Sequence, residues 1–261
     1  MSEVVLCGTD FSPLAQETAR LTLSLAKKLG AQLHLVHVAD EPDASRARLQ
    51  SAAAELGDEV QAEVLAGHPD EVLVERARAL NAQLLVVGSL GRRSLSDWLL
   101  GSTAERVVRS CPVPSLVVRQ PDRLASWLKG ERPLKVMLAV SLDGSVLGAL
   151  KWLGSLERVG PIEKFAVQVS GGANLDEQWL EEETGRLQAY TGLPRAQCQV
   201  EVAQWPVEEH LITVAEREQV DLLVMGTHLR SGLERLWKGS VSMAVLQRAP
   251  MSVACVPGSS H

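Results

Sequence analysis

The segments VVGSLGRRSLSDWLLGSTAERVV, starting at Val86, and VMGTHLRSGLERLWKGSVSMAVL, starting at Val224, are variants of one pattern set 138 residues apart. A period of that length is too long for a solenoid repeat and suits a whole small domain, so one unit is written twice. The 261 residues, 46% of them hydrophobic, supply enough apolar material for two cores of ordinary size. The copies differ at one telling place. Gly88, Gly91, Gly101 and Ser102 form a G-x2-G-x9-G-S pattern; the second copy keeps Gly226 and Gly239-Ser240 but has Leu229 where Gly91 stands.

Several function classes are excluded by charge and composition. The net charge of -6 divides evenly, since residues 1–125 carry 13 basic and 16 acidic side chains and residues 126–261 carry the same numbers. Neither half is basic enough to neutralise a phosphate backbone, and nine aromatic residues leave little for a stacking platform, so no nucleic-acid partner is expected. Cys7, Cys111, Cys198 and Cys255 lack metal-ligand spacing and read as small hydrophobes of a reducing compartment; no metal site is expected. The start MSEVVLCGTDFS leads straight into a strand, and no apolar run nears the roughly 20 residues that span a bilayer. A cytoplasmic protein without a membrane partner is the expectation.

Along the first copy, strands and helices alternate. VVLCGT is an apolar run ending before Asp10, and Ser12-Pro13 pairs an N-cap with a first-turn proline ahead of a helix closed by Gly30. The strand AQLHLVHVA, a helix over residues 44–56, the strand DEVQAEVLAG, the helix PDEVLVERARALN, the run QLLVVG, the helix STAERVVRSC and the strand VPSLVVR complete it. RQPDRLASWLKGERP, bracketed by Pro121 and Pro133, reads as a linker. The second copy repeats the order from LKVMLAVS to MSVACV, with Asp143-Gly144-Ser145 aligned to Asp10-Phe11-Ser12. Continuous apolar strands separated by helices predict two α/β domains, 1–120 and 134–258, each an open Rossmann-like parallel sheet covered on both faces. In such a sheet the ligand crevice lies at the carboxyl ends of the strands, where Asp10 falls.

The chemistry of that crevice can be read from residue types. Glycines at 88 and 91 let backbone N–H groups approach an anion, and Gly101-Ser102 opens a helix whose unpaired donors and dipole favour phosphate. Ser102 with Glu105 has the spacing of a capping box, which is compatible with phosphate binding. Spacing excludes a P-loop and a Rossmann fingerprint. Asp10 is either a turn former or, with Ser12 capping the helix, free to hold a nucleoside; both roles remain open. Arg92 and Arg93 are candidate phosphate neutralisers or solvated loop charges. His34 and His37 lie an odd number apart in a strand, on opposite faces, so they share no metal. His68 is a turn element and His228 a remnant of a ligand contact. Ser170-Gly171-Gly172 lacks the Asp-Ser of a pyrophosphatase loop. No nucleophile, base and orienting group come together, so no catalytic residue is assigned.

The chain resembles the tandem universal stress proteins. The residues that carry the resemblance are GTDFSP and SLDGS after the first strands, HPDEVLVERARALNAQLLVVG, and the G-x2-G-x9-G-S stretch followed by a helix and CPVPSLVV, a pattern of the ATP-binding branch. The resemblance implies five-stranded sheets in the order 3-2-1-4-5, with ATP in the crevice and magnesium arriving with its phosphates. By position, adenine and ribose contacts fall on Asp10, Val38 and Gly88, and phosphate contacts on Gly91, Gly101, Ser102 and Thr103. Thr9, Val87, Leu90 and Arg92 complete the candidate set, Leu90 standing where the family often has a polar residue. It also implies pairing of the two last strands, an intramolecular pseudo-dimer, with a further homodimer and an unidentified protein partner as additional expectations.

Leu229 predicts that the second copy binds ATP weakly or not at all. The expected function is an ATP-dependent regulatory protein of the stress response, in which ATP orders the stretch from Gly88 to Ser102 and another protein reads the result. The alternatives are a slow ATP hydrolase or adenylyl or phosphoryl transferase, and an interaction module without nucleotide.

Overall fold

Short aliphatic runs bounded by turn residues become strands, and the segments between them, apolar on one stripe only, become the helices that cover the sheet. The computed structural model describes residues 3–89, 100–142, 145–170, 176–203, 206–227 and 241–258. The first half runs β1 (Val4–Gly8), α1 (Pro13–Leu29), β2 (Gln32–Val38), α2 (Pro42–Leu56), β3 (Gln61–Leu65), α3 (Pro69–Ala79), β4 (Leu84–Gly88), α4 (Ser102–Ser110) and β5 (Ser115–Val118). After α5 (Pro121–Leu128), the second half runs β6 (Leu134–Ala139), α6 (Val146–Glu157), β7 (Ile162–Ser170), α7 (Glu177–Thr191), β8 (Cys198–Val202), α8 (Val207–Arg217), β9 (Leu222–Thr227), α9 (Val241–Arg248) and β10 (Ser252–Pro257).

Helix ends follow their sequence signals. Ser12 Oγ accepts from the Ala15 N–H at 3.2 Å, Pro13 occupies the first turn, and Gly30 closes α1 at φ 70°. Asp176 caps α7 in the same way, and Gly192 ends it at φ 69°. The helix expected over 44–56 starts earlier, at Pro42, and the third strand, expected from Asp58, starts at Gln61.

All ten strands join one sheet in the order β3-β2-β1-β4-β5-β10-β9-β6-β7-β8. Each half has the order 3-2-1-4-5. Every pairing is parallel except the seam, where β5 and β10 run antiparallel with Leu116 opposite Ala254 and Val117 opposite Val253. Across that seam Arg119 donates to the Leu246 carbonyl at 2.5 Å, and Gln120 to the Pro250 carbonyl at 3.1 Å. The buried apolar residues divide by sheet face, not by half. One core joins Leu25, Leu35 and Leu116 to Leu153, Leu156 and Leu222, and the other joins Leu85, Val107 and Val117 to Leu211, Leu223 and Val253. The composition allowed one core per half; the continuous sheet replaces that with two cores that both cross the seam.

The linker reading is corrected. Pro121 opens a helix, α5, and Leu124, Trp127 and Leu128 bury its inner face against α1 and β6. Proline at a first helical turn is a start signal as well as a boundary, and three buried side chains at i, i+3 and i+4 decide between the two. Buried Asp221, just before β9, anchors the segment: it accepts from Arg132 at 2.8 and 3.0 Å, from Arg123 at 3.1 Å and from the Lys135 N–H at 2.9 Å. No helix of the described residues is long and apolar enough to cross a membrane.

Candidate functional site

In the first half the chain leaves β1 toward one face and β4 toward the other, which opens a crevice between their carboxyl ends. The last bond of the β1–β2 ladder runs from the Thr9 N–H to the Val36 carbonyl at 2.9 Å. A parallel ladder would continue with Val38 bonded to the Thr9 carbonyl and the Phe11 N–H. Both of those groups are taken. His37 Nδ1 donates to the Thr9 carbonyl at 2.7 Å, and the Phe11 N–H donates to Thr9 Oγ1 at 3.1 Å. Val38 therefore presents one donor and one acceptor toward the crevice with no partner among the described residues, while Ala39 next to it is held by the Leu65 carbonyl at 3.0 Å.

The turn that follows is under strain. Phe11 has φ 63°, a left-handed conformation that costs an ordinary side chain about 1–2 kcal/mol. Its buried ring touches both the His37 ring, 4.3 Å away, and the Arg48 guanidinium, 4.4 Å from the ring centroid. Asp10 contributes to this turn: its Oδ1 accepts from the Ser12 N–H at 2.9 Å. Of the two roles open for Asp10, the turn role is present here: Ser12 caps with its hydroxyl, and its own N–H takes Asp10 as acceptor.

Gly88 ends β4, and Ser89 continues the pairing through the Val118 carbonyl at 2.9 Å. A side-chain carbon placed on Gly88 would meet Leu14 at 3.5 Å and Thr18 at 3.7 Å, which is ordinary contact, so no neighbour among the described residues requires a glycine there. Val87 beside it is buried on the opposite face, toward α3 and α4. Gly101 caps α4: its N–H reaches the Ser89 carbonyl at 2.7 Å, and its carbonyl accepts from the Glu105 N–H at 3.1 Å. No side chain caps this helix, Ser102 is exposed and Thr103 half-buried. The capping box is thereby corrected. The helix starts at Ser102, so Gly101 holds the cap position, and Glu105 turns to Arg109 at 2.6 Å and to Gln247 of α9 at 3.3 Å. Leu90, Gly91, Arg92 and Arg93 lie outside the described residues.

Cys7, under the crevice floor, is pushed up to about 12 by burial, partly offset by a hydrogen bond with Thr22, so it stays a thiol. His34 faces away, toward α3. Its imidazole is held below the usual value first by burial and then by Arg76, against the pull of Glu63. The opposite-face reading of His34 and His37 agrees with this placement. Among the described residues no cluster of His, Cys, Asp or Glu could hold a metal ion.

The second half is built differently at the same place. Ala139 pairs with Val167 and the Val140 N–H binds the Val167 carbonyl at 2.8 Å, as Gly8 and Thr9 do with Val36. In that register Ser141, not Asp143, stands at the position of Asp10, and two more residues separate strand from helix than in the first half. Aligning the two aspartates counted back from the helix cap; the strand register corrects it. A side-chain carbon on Gly226 would lie 2.2 Å from the Ser145 carbonyl oxygen, and one on Gly148 would lie 2.4 Å from that of Pro257. The start of α6 thus rests backbone to backbone on the ends of β9 and β10. Asp143, His228, Leu229, Gly239 and Ser240 lie outside the described residues, as do Gly171 and Gly172.

The universal stress protein family model matches residues 1–57, 42–119 and 160–257, which include the first half and most of the second. The chain belongs to the universal stress protein family. A universal stress protein of Mycobacterium bovis is 28% identical over 214 residues, 75% of this chain and 68% of its own length. The crystal structure of a universal stress protein from Archaeoglobus fulgidus is similar with a TM-score of 0.72 at 18% identity, covering 99% of this chain and all of that one. A universal stress protein solved in complex with cAMP is 27% identical over 45% of this chain and 97% of its own, with a TM-score of 0.40. In this tandem universal stress protein the sequence patterns pointed to the carboxyl ends of β1 and β4 but gave no role to Phe11, His37 or Arg48. The alternation of β2 already placed His37 beside Val38, and that was the signal available for it.

Proposed function

We propose that this universal stress protein binds ATP in a first domain, residues 1–120, and that residues 134–258 form a second domain whose site is degenerate. The observation that carries the reading is Gly88. Among the described residues no neighbour needs that residue to lack a side chain, whereas the equivalent Gly226 is pressed against the Ser145 carbonyl. A glycine without a protein reason marks a place where something else comes close.

The other groups around it suit an adenine nucleotide. The Val38 carbonyl would accept from the adenine amino group and its N–H would donate to N1, the complementary donor–acceptor pair. Thr9 and Asp10 would border the ribose, and the backbone of Val87 and Gly88 would underlie it. The start of α4, with Gly101 at the cap position, would face the phosphates with the N–H groups of Ser102 and Thr103 and the positive end of its dipole. Leu90, Gly91 and Arg92 would complete the phosphate side, and magnesium would come bound to the nucleotide.

We take the role to be regulatory: ATP binds one state of this surface better than another, and a protein partner reads the difference. Hydrogen exchange at the amides of residues 102–105 tests it. Saturating ATP should slow them; unchanged exchange would remove the basis for a nucleotide-read surface.

A further inference from the structure

We propose that His37 is the positioning residue that keeps the Val38 edge available to a ligand, acting through the Thr9 carbonyl and the Phe11 ring. This rests on the adenine reading of the crevice. A carbonyl only accepts, so His37 Nδ1 carries the hydrogen that reaches Thr9 at 2.7 Å. That hydrogen stands in for the Val38 N–H, which a continuing parallel ladder would deliver to the same oxygen. His37 is 8% exposed, and its ring lies 4.3 Å from Phe11 at a 45° tilt. Arg48, from α2, lies over the Phe11 ring at 4.4 Å from its centroid. Side chains from β2, from the β1–α1 turn and from α2 thus stack around a backbone conformation that L-residues avoid, and together they hold it.

With the imidazole gone, the Thr9 carbonyl is open to the Val38 N–H, and pairing would consume the donor that a base needs. The second half offers a contrast. Gln168 stands at the register of His37, and its amide reaches Ser170 at 3.1 Å and Glu183 at 3.0 Å instead of back toward β6. There two more residues separate the strand from α6, and no side chain from β7 is seen to clamp the end of β6 among the described residues.

The test compares ATP with inosine triphosphate, which reverses the donor and acceptor pattern of the base edge and leaves ribose and phosphates unchanged. The whole chain is titrated as wild type, His37→Leu and His37→Asn, the asparagine amide lying where Nδ1 lies. Wild type should prefer ATP. His37→Leu should lose that preference by about tenfold, the scale of one hydrogen bond, while keeping its phosphate-dependent binding, and His37→Asn should restore it. A merely structural role would lower both affinities together and leave the ratio unchanged, which overturns the inference while the nucleotide reading stands. Wild type that binds neither nucleotide overturns both. A ligand-free readout is the Phe11 amide, whose exchange should quicken by about tenfold in His37→Leu. If that variant does not fold, Arg48→Met, which uncovers one face of Phe11, should quicken the same amide, and unchanged exchange there contradicts the stack.

Discussion

Among single residues, Gly88 and Gly226 are the same letter at the same repeat position in different surroundings. Gly88→Ala adds a carbon at ordinary contact distance from Leu14, so stability should stay within about 0.5 kcal/mol of wild type while ATP affinity falls. Gly226→Ala forces a carbon to 2.2 Å from a backbone oxygen and should cost about 1–3 kcal/mol or more in chemical denaturation. Gly148→Ala sets two effects against each other. Helix propensity favours alanine by about 1 kcal/mol, but the carbon would lie 2.4 Å from the Pro257 oxygen, so the variant should still be destabilised. Glu201 supplies a pH signature. Burial alone would raise its carboxyl, but hydrogen bonds from His210, Arg217 and Gln199 outweigh that and hold it below the ordinary 4.5. A depressed folded-state value gives stability that is full above the unfolded value and lost as pH falls through the folded one. The stability gap between wild type and Glu201→Gln should therefore narrow as pH drops below 4.5.

At the scale of elements, α5 turns a segment that reads as a linker into a brace. Asp221→Ala removes the acceptor shared by Arg123, Arg132 and the Lys135 N–H, and should cost about 2–3 kcal/mol, since both arginines are partly exposed and can turn to water. Gln219, which ends the turn after α8 at φ 53°, should gain about 1 kcal/mol as Gln219→Gly in the same denaturation measurement. The strands were legible because VVLCG and LLVVG are buried on both faces and nothing else satisfies such runs. Ser12-Pro13 and Gly30 were legible because caps act locally. The brace was not, because Leu124, Trp127 and Leu128 sit among prolines and charges, and only tertiary contact distinguishes an amphipathic turn from a spacer. The misplaced match of Asp143 to Asp10 has a similar origin: a motif fixes spacing to the helix cap, whereas pairing with β7 and β9 fixes the register. His37 was legible as a position on a strand, but not as a clamp, because its partner is a backbone carbonyl and carbonyls have no sequence signature.

At the scale of the whole molecule, the antiparallel seam makes one ten-stranded sheet from two sets of five, and the cores on both faces run through it. An exposed β5 edge with buried-type residues would seek another strand, so fusing the halves supplies one at high effective concentration. The shared cores predict one cooperative transition, with tryptophan fluorescence and far-ultraviolet circular dichroism coincident in denaturant. Two separated transitions would mean that the halves are independent. The same joint lets the halves diverge: Gly88 meets side chains of α1 at ordinary contact distance, whereas Gly226 is pressed against the backbone at the start of α6. Calorimetric titration of the whole chain with ATP addresses that difference most directly. The account predicts one nucleotide per chain, with binding weakened in Gly88→Ala and unaffected by changes on α6; two equivalent sites, or none, would contradict it.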